Sequence, residues 1–175
     1  MKKGIIVYQS KYGATKKYAQ WLQDMTGFAC IETPKAAIDD VLPYEAVVLC
    51  GGIYASGIAG LSFLKKHISR LKEQKIVLLC VGASPYDESA LAQIKAHNLK
   101  GRLSGLPLFY GRGAWNESKM KFMDRTLCRL LRKSVSKKAP DTCDPWMKAL
   151  MCAAEQACDW TDRRYLLPLL EVLKE

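Results

Sequence analysis

The sequence predicts an α/β fold, a doubly wound parallel sheet with helices on both faces, on three observations. Short apolar runs, Gly4–Tyr8, Ala46–Gly51 and Ile76–Val81, are too short for helices and rich in β-branched residues, as strands buried on both faces are. Segments with apolar residues at helical spacing lie between them, so strand and helix alternate. Each run also ends in a loop carrying glycine, hydroxyl or aromatic residues. In such sheets ligands bind beyond the carboxyl ends of the strands.

Taken in order, Gly4–Tyr8 is the first strand, and Tyr18, Leu22 and Met25 give the first helix an apolar face that stops at Gly27. Phe28–Ile31 is a short second strand, followed by a connection punctuated by Pro34 and Pro43. Ala46–Gly51 is the third strand and leads into a loop at 52–57. Leu61, Leu64, Ile68 and Leu71 mark a helix with Lys65, Lys66 and Arg70 toward its outer side. Ile76–Val81 is the fourth strand, followed by a loop at 83–88 and a helix from Ser89, its expected cap, to Asn98. Leu106–Tyr110, bounded by Gly105 and Gly111, completes five strands.

Ser10-Lys11-Tyr12-Gly13-Ala14-Thr15 joins the first strand to the first helix. Such a loop aims free backbone N–H groups and the positive end of a helix dipole at one point, where the Ser10 and Thr15 hydroxyls can converge on a phosphate. Either hydroxyl also fits a plain helix cap, so the loop alone leaves both roles open. It has neither the Gly-Lys-Ser/Thr of a Walker loop nor a GxGxxG, which suits a phosphate ligand that is held rather than cleaved.

The loop resembles the phosphate loop of the flavodoxins, a hydroxyl residue, two variable residues, glycine, a small residue and threonine. Ser10, Gly13, Ala14 and Thr15 fit it position by position. From Met1 to about Gly113 the chain resembles the flavodoxin-like FMN-binding proteins, nearest the branch related to menaquinone-dependent protoporphyrinogen dehydrogenases. The resemblance implies FMN as cofactor. It implies a phosphate site at Ser10, Lys11, Tyr12, Gly13, Ala14 and Thr15, and a flavin site drawing on Gly52, Ile53, Tyr54, Ala55, Ser84 and Tyr86. It further implies that a peptide at Gly52 or Gly57 can flip beside the flavin. Tyr54 and Tyr86 suit the faces of an isoalloxazine ring, although either alone is an ordinary loop residue.

One domain, 1–175, is expected, with a helical insertion at 114–160. No stretch approaches membrane-spanning length, and Met1-Lys2-Lys3-Gly4 runs straight into a strand, so no signal peptide is expected. Seven cysteines without a CxxC fit reduced thiols in a cytoplasmic protein, and His67 and His97 supply no metal-ligand cluster. The net charge of +10 concentrates in 119–138, which holds eight basic residues and one acidic. There Met123, Leu127, Leu130 and Leu131 share a helical face, and Arg125, Arg129, Arg132 and Lys133 crowd the remainder. Pro140-Asp141-Thr142 breaks this helix, and Asp144-Pro145 starts another through Trp146, Leu150, Ala153 and Ala157. Leu166, Leu167, Leu170 and Leu173 form a terminal helix that Pro168 should kink or shorten.

A basic helical insertion before the last helix, and the Asp159-Trp160 pair, also resemble the protoporphyrinogen dehydrogenase branch. The expected function is an FMN-binding oxidoreductase acting on a quinone or porphyrinogen-like molecule, with no catalytic acid or base identified. Tyr110, Arg112 and Trp115 stand where a reactant can approach the ring. The alternative is a non-catalytic electron carrier docking on an acidic partner. The basic segment predicts an anionic partner, with peripheral contact at the inner face of a membrane. Nucleic acid is the weakest candidate, because no recognition motif accompanies the charge.

Overall fold

Val47, Val48, Leu49 and Cys50 are all closed to solvent, as residues of a strand covered on both faces must be. A computed structural model describes residues 3–137, 143–152 and 157–175. The elements are β1 (Gly4–Gln9), α1 (Ala14–Thr26), β2 (Ala29–Glu32), α2 (Ile38–Val41), β3 (Ala46–Tyr54), β4 (Gly57–Ile58), α3 (Leu61–His67) and β5 (Lys75–Gly82). They continue with α4 (Glu88–Asn98), β6 (Leu108–Arg112), β7 (Ala114–Trp115), α5 (Phe122–Val135), α6 (Pro145–Cys152), β8 (Cys158–Asp159) and α7 (Leu167–Lys174).

Five strands pair in parallel in the order β2-β1-β3-β5-β6, and β4 folds back antiparallel on the end of β3. This is the doubly wound sheet that the sequence predicts. The chain leaves β1 toward β2 on one side and returns to β3 on the other, so the topological switch point lies between β1 and β3. Alternate residues serve opposite faces. Val7, Leu49 and Leu78 meet Ile38, Val41, Leu61, Leu64 and Leu99 on one side. Ile6, Val48 and Leu79 meet Tyr18 and Leu22 of α1 and Leu166, Leu169 and Leu173 of the terminal segment on the other.

Several boundaries move for identifiable reasons. β3 runs on to Tyr54 because β4 supplies it a partner, so much of the expected 52–57 loop is a hairpin. The second strand starts at Ala29, leaving Phe28 to pack where a Cβ on Gly4 would lie 2.2 Å from its ring. The fifth parallel strand begins at Leu108, where pairing with Leu78 begins. Asp87, not Ser89, caps α4, its carboxylate accepting the Ala90 N–H at 2.7 Å. The helix expected over 119–138 begins at Phe122, after a short turn at 117–119 whose N–H groups the Asn116 side chain holds. α7 starts beside Pro168, which takes a first-turn position that needs no N–H donor, and Leu167 faces outward. Ala157 lies beyond α6 and next to β8, while the break at 140–142 and Ala153 fall outside the described residues. Among the described residues no helix is long and apolar enough to cross a membrane.

Candidate functional site

β1 delivers Ser10 to the carboxyl end of the sheet, and the chain turns through Gly13, whose φ of 98° suits glycine. The Gly13 N–H donates to Ser10 Oγ at 3.1 Å, so Ser10 shapes the turn itself. The next three N–H groups, at Ala14, Thr15 and Lys16, open α1 and have no intrahelical acceptor. Together they form a helix terminus of the kind that can take an anion, with Thr15 buried beneath it.

The second wall is the β3–β4 hairpin. Ala55 and Ser56 have φ of 46° and 65°, the left-handed pair that a two-residue hairpin turn requires but that non-glycine residues adopt at a cost. Asn98, at the end of α4, holds this turn. Its Nδ2 donates to the Ser56 carbonyl at 2.7 Å and its Oδ1 accepts the Ile58 N–H at 3.2 Å. Tyr54 leans back over Gly52, where a Cβ would come within 2.7 Å of its hydroxyl, and accepts the Lys11 N–H at 3.1 Å. Its ring meets that of Tyr12 edge-on, with centroids 6.3 Å apart. Burial raises the Tyr54 hydroxyl pKa, and the Lys11 N–H and ammonium oppose that rise.

The floor is Val81, Gly82 and Ala83 at the end of β5. Tyr110 fixes it, its one hydroxyl proton shared between the carbonyls of Gly82 at 2.9 Å and Ser84 at 2.5 Å. Arg112 is tied down rather than free, with Nε donating to the Ala83 carbonyl at 3.3 Å and its guanidinium 4.2 Å over the Trp160 ring.

α5 and the turn before it close the fourth side. The Glu117 carboxylate accepts from Arg129 at 3.0 Å and Arg132 at 2.7 Å, and Arg125 donates to the carbonyls of Glu117, Ser118 and Met120. Burial would raise the Glu117 pKa, but the two arginines bring it below its ordinary value. Three of the four basic residues expected to crowd an outer face are therefore engaged within the chain. The Asp124 carboxylate accepts from both Lys11 Nζ and Tyr12 Oη, and chiefly the Lys11 bond lowers its pKa. Met123, Leu127 and Leu130 keep 77%, 62% and 61% of their exposure, so most of the apolar stripe of α5 faces outward.

These walls enclose a cleft of about 350 Å³, within the ~300–1,000 Å³ common for small-molecule sites. Of the expected site residues, Tyr12, Ala14, Thr15, Gly52, Ile53, Tyr54 and Ala55 border it. Gly13 borders an adjoining hollow with Lys17, Ser10 stays within its turn, and Lys11 lies at the rim on Asp124. Ser84 and Tyr86 do not border the cleft, and Tyr86 packs against Tyr110 with 56% of its surface exposed. Trp115 borders it, with a buried Nε1 that has no hydrogen-bond partner among the described residues. Sequence reading missed Met120, Asp124, Cys128 and the clamp at Asn98. The apolar period of α5 signals a helix, but not which loop it crosses.

A helix-terminus anion site at one end of an apolar cleft, with tyrosines along its wall, suits an aromatic ring that carries a phosphate. A family model described as a flavodoxin domain matches residues 5–142. No curated protein matches the chain. Among solved structures, the two-electron reduced flavodoxin of Megasphaera elsdenii is 18% identical, with a TM-score of 0.47 over 61% of this chain and 82% of its own. A WrbA-like flavodoxin from Agrobacterium tumefaciens is 14% identical, with a TM-score of 0.45 over 75% and 92%. A flavoprotein in complex with FMN from Lactobacillus acidophilus is 14% identical, with a TM-score of 0.44 over 64% and 93%.

Proposed function

Because this chain belongs to the flavodoxin domain family, we propose that it binds FMN and transfers electrons through the flavin. The observation that carries this reading is the cleft itself, with a helix-terminus anion site at one end and apolar walls along the rest. The first-turn N–H groups of α1 and the Thr15 hydroxyl take the phosphate. Val81, Gly82 and the Gly52–Ala55 hairpin hold the ring, and Cys128 and Leu131 of α5 cover it. FMN supplies the redox chemistry when bound, and the protein supplies its orientation and surroundings.

The more specific reading is an oxidoreductase whose second reactant is an apolar quinone or porphyrinogen-like molecule. The apolar side chains of α5 at the cleft support it, since they offer such a molecule a dry approach. An electron carrier has no need of that cover. For the partner, the outward stripe of Phe122, Met123, Leu127 and Leu130, flanked by Lys121 and Lys133, has the amphipathic make-up of a helix that lies on an anionic membrane surface.

The test begins with FMN and riboflavin titrations. Thr15→Ala removes a bond to a charged phosphate and weakens FMN binding by about ten- to a hundredfold, while riboflavin binding barely changes. Equal affinity of the wild type for FMN and riboflavin would overturn the phosphate site. Turnover of quinones with a porphyrinogen donor separates the enzyme from a carrier. Co-sedimentation with anionic liposomes, lost when Leu127 and Leu130 are both changed to Ser, tests the membrane face.

A further inference from the structure

We propose that Asp124 is a latch that holds α5 as a strap across the cofactor cleft, so that cofactor exchange requires the latch to open. What is exchanged follows from the FMN reading above. The strap itself stands on contacts within this chain.

The Asp124 carboxylate takes Lys11 Nζ and Tyr12 Oη together, two consecutive residues of the anion-binding loop that lie far from it in sequence. One turn earlier in the chain, the Lys121 N–H donates to Tyr12 Oη at 3.4 Å, so the start of α5 is tied to the same side chain. Cys128 and Leu131 follow Asp124 at helical spacing and border the cleft. At its far end α5 is anchored differently. Val135, the last residue of α5, is buried with Met147 and Leu150 in a small apolar cluster. Between these two points Phe122, Met123, Leu127 and Leu130 are exposed and give the helix little apolar hold. The helix is thus hinged by burial at Val135 and fastened to the 10–15 loop by charge at Asp124, while Glu117 and Arg125 brace it only against its own preceding turn.

The fastening is reversible. Lys11 and Asp124 keep 35% and 31% of their side-chain exposure, so water and salt screen the pair. The carboxylate also places a negative charge beside the loop that takes a phosphate. Breaking the latch contacts speeds entry and exit alike, and loss of the charge offsets any weakening of the bound state, which separates a latch from a residue that merely stabilises the complex.

The experiment measures FMN association and dissociation by stopped-flow flavin fluorescence in the wild type, Asp124→Asn and Tyr12→Phe. Iodoacetamide labelling of Cys128, resolved by peptide mass, is followed in the flavin-free protein. Asp124→Asn is expected to raise both FMN rates by about tenfold and so leave equilibrium binding near the wild-type value, the low end for a hydrogen bond to a charged group. Cys128 labelling accelerates in parallel, and Tyr12→Phe, which loses one of the two latch bonds, falls between. An unchanged dissociation rate overturns the proposal, as does faster dissociation with unchanged association. Should Asp124→Asn fail to fold, the same two outcomes are read from Tyr12→Phe. Should the wild type not bind FMN, that reading falls, and Cys128 labelling alone decides the strap. Unaltered labelling in both variants then overturns it.

Discussion

In the sheet, Val7, Leu49 and Leu78 sit side by side on three strands without solvent access, whereas in α5 Met123, Leu127 and Leu130 stand largely in water. The first region is held by apolar area removed from water, the second mainly by Glu117 between two arginines and Asp124 on the loop, with burial only at Val135. Burial is non-directional and, summed over many residues, large. A screened ion pair contributes little and depends on salt and pH. The cleft lies where these two kinds of attachment meet, with a floor from the buried sheet and a cover fastened largely by charge.

The largest effect that separates the two regions is a core truncation. Leu79→Ala opens a cavity in a fully buried site and costs about 2–5 kcal/mol, whereas Leu130→Ala on the exposed stripe stays within about 0.5 kcal/mol. Urea denaturation of both variants checks the contrast, and equal losses would show that α5 is as much a part of the core as β5.

Next comes Tyr18, which binds the sheet end of the molecule to the terminal segment. Its hydroxyl donates to the Arg112 carbonyl at 2.7 Å and accepts the Asp162 N–H at 3.1 Å. Burial pushes its pKa up to about 12. Because the folded value lies above the ordinary ~10 of a free tyrosine, its contribution is complete below pH ~10 and is lost as pH rises toward 12. Tyr18→Phe is expected to cost about 1–3 kcal/mol at neutral pH and to flatten the loss of stability in that alkaline window. Thermal melts from neutral to alkaline pH measure both.

The smallest effect is confined to α5 and the turn before it. Glu117→Gln releases Arg129 and Arg132 and costs about 1 kcal/mol or less overall, yet hydrogen exchange of α5 amides should speed up while that of β3 and β5 stays put. The Glu117 pKa is depressed, so its contribution holds above the ordinary carboxylate range and fades as pH falls through its folded value. Acid should therefore loosen α5 before the sheet, and high salt should do the same. Exchange that accelerates equally in α5 and β3 would mean the two regions open as one.

The sequence by itself determined the parallel sheet, because runs such as Val47–Cys50 are apolar at every position and only strands covered on both faces accommodate that. It also determined the 10–15 loop, whose Gly13 and hydroxyls signal a turn into a helix terminus through local backbone chemistry. Only the tertiary structure decided what lies opposite that loop. The left-handed turn at Ala55 and Ser56 carries no glycine or asparagine to announce it and depends on Asn98, some forty residues on. That α5 turns Asp124 toward Lys11 and Tyr12, and leaves Met123 and Leu130 outside, follows from where β6 and β7 release the chain. Helical periodicity states which residues share a face, but the partner of that face is a long-range contact that no local spacing encodes.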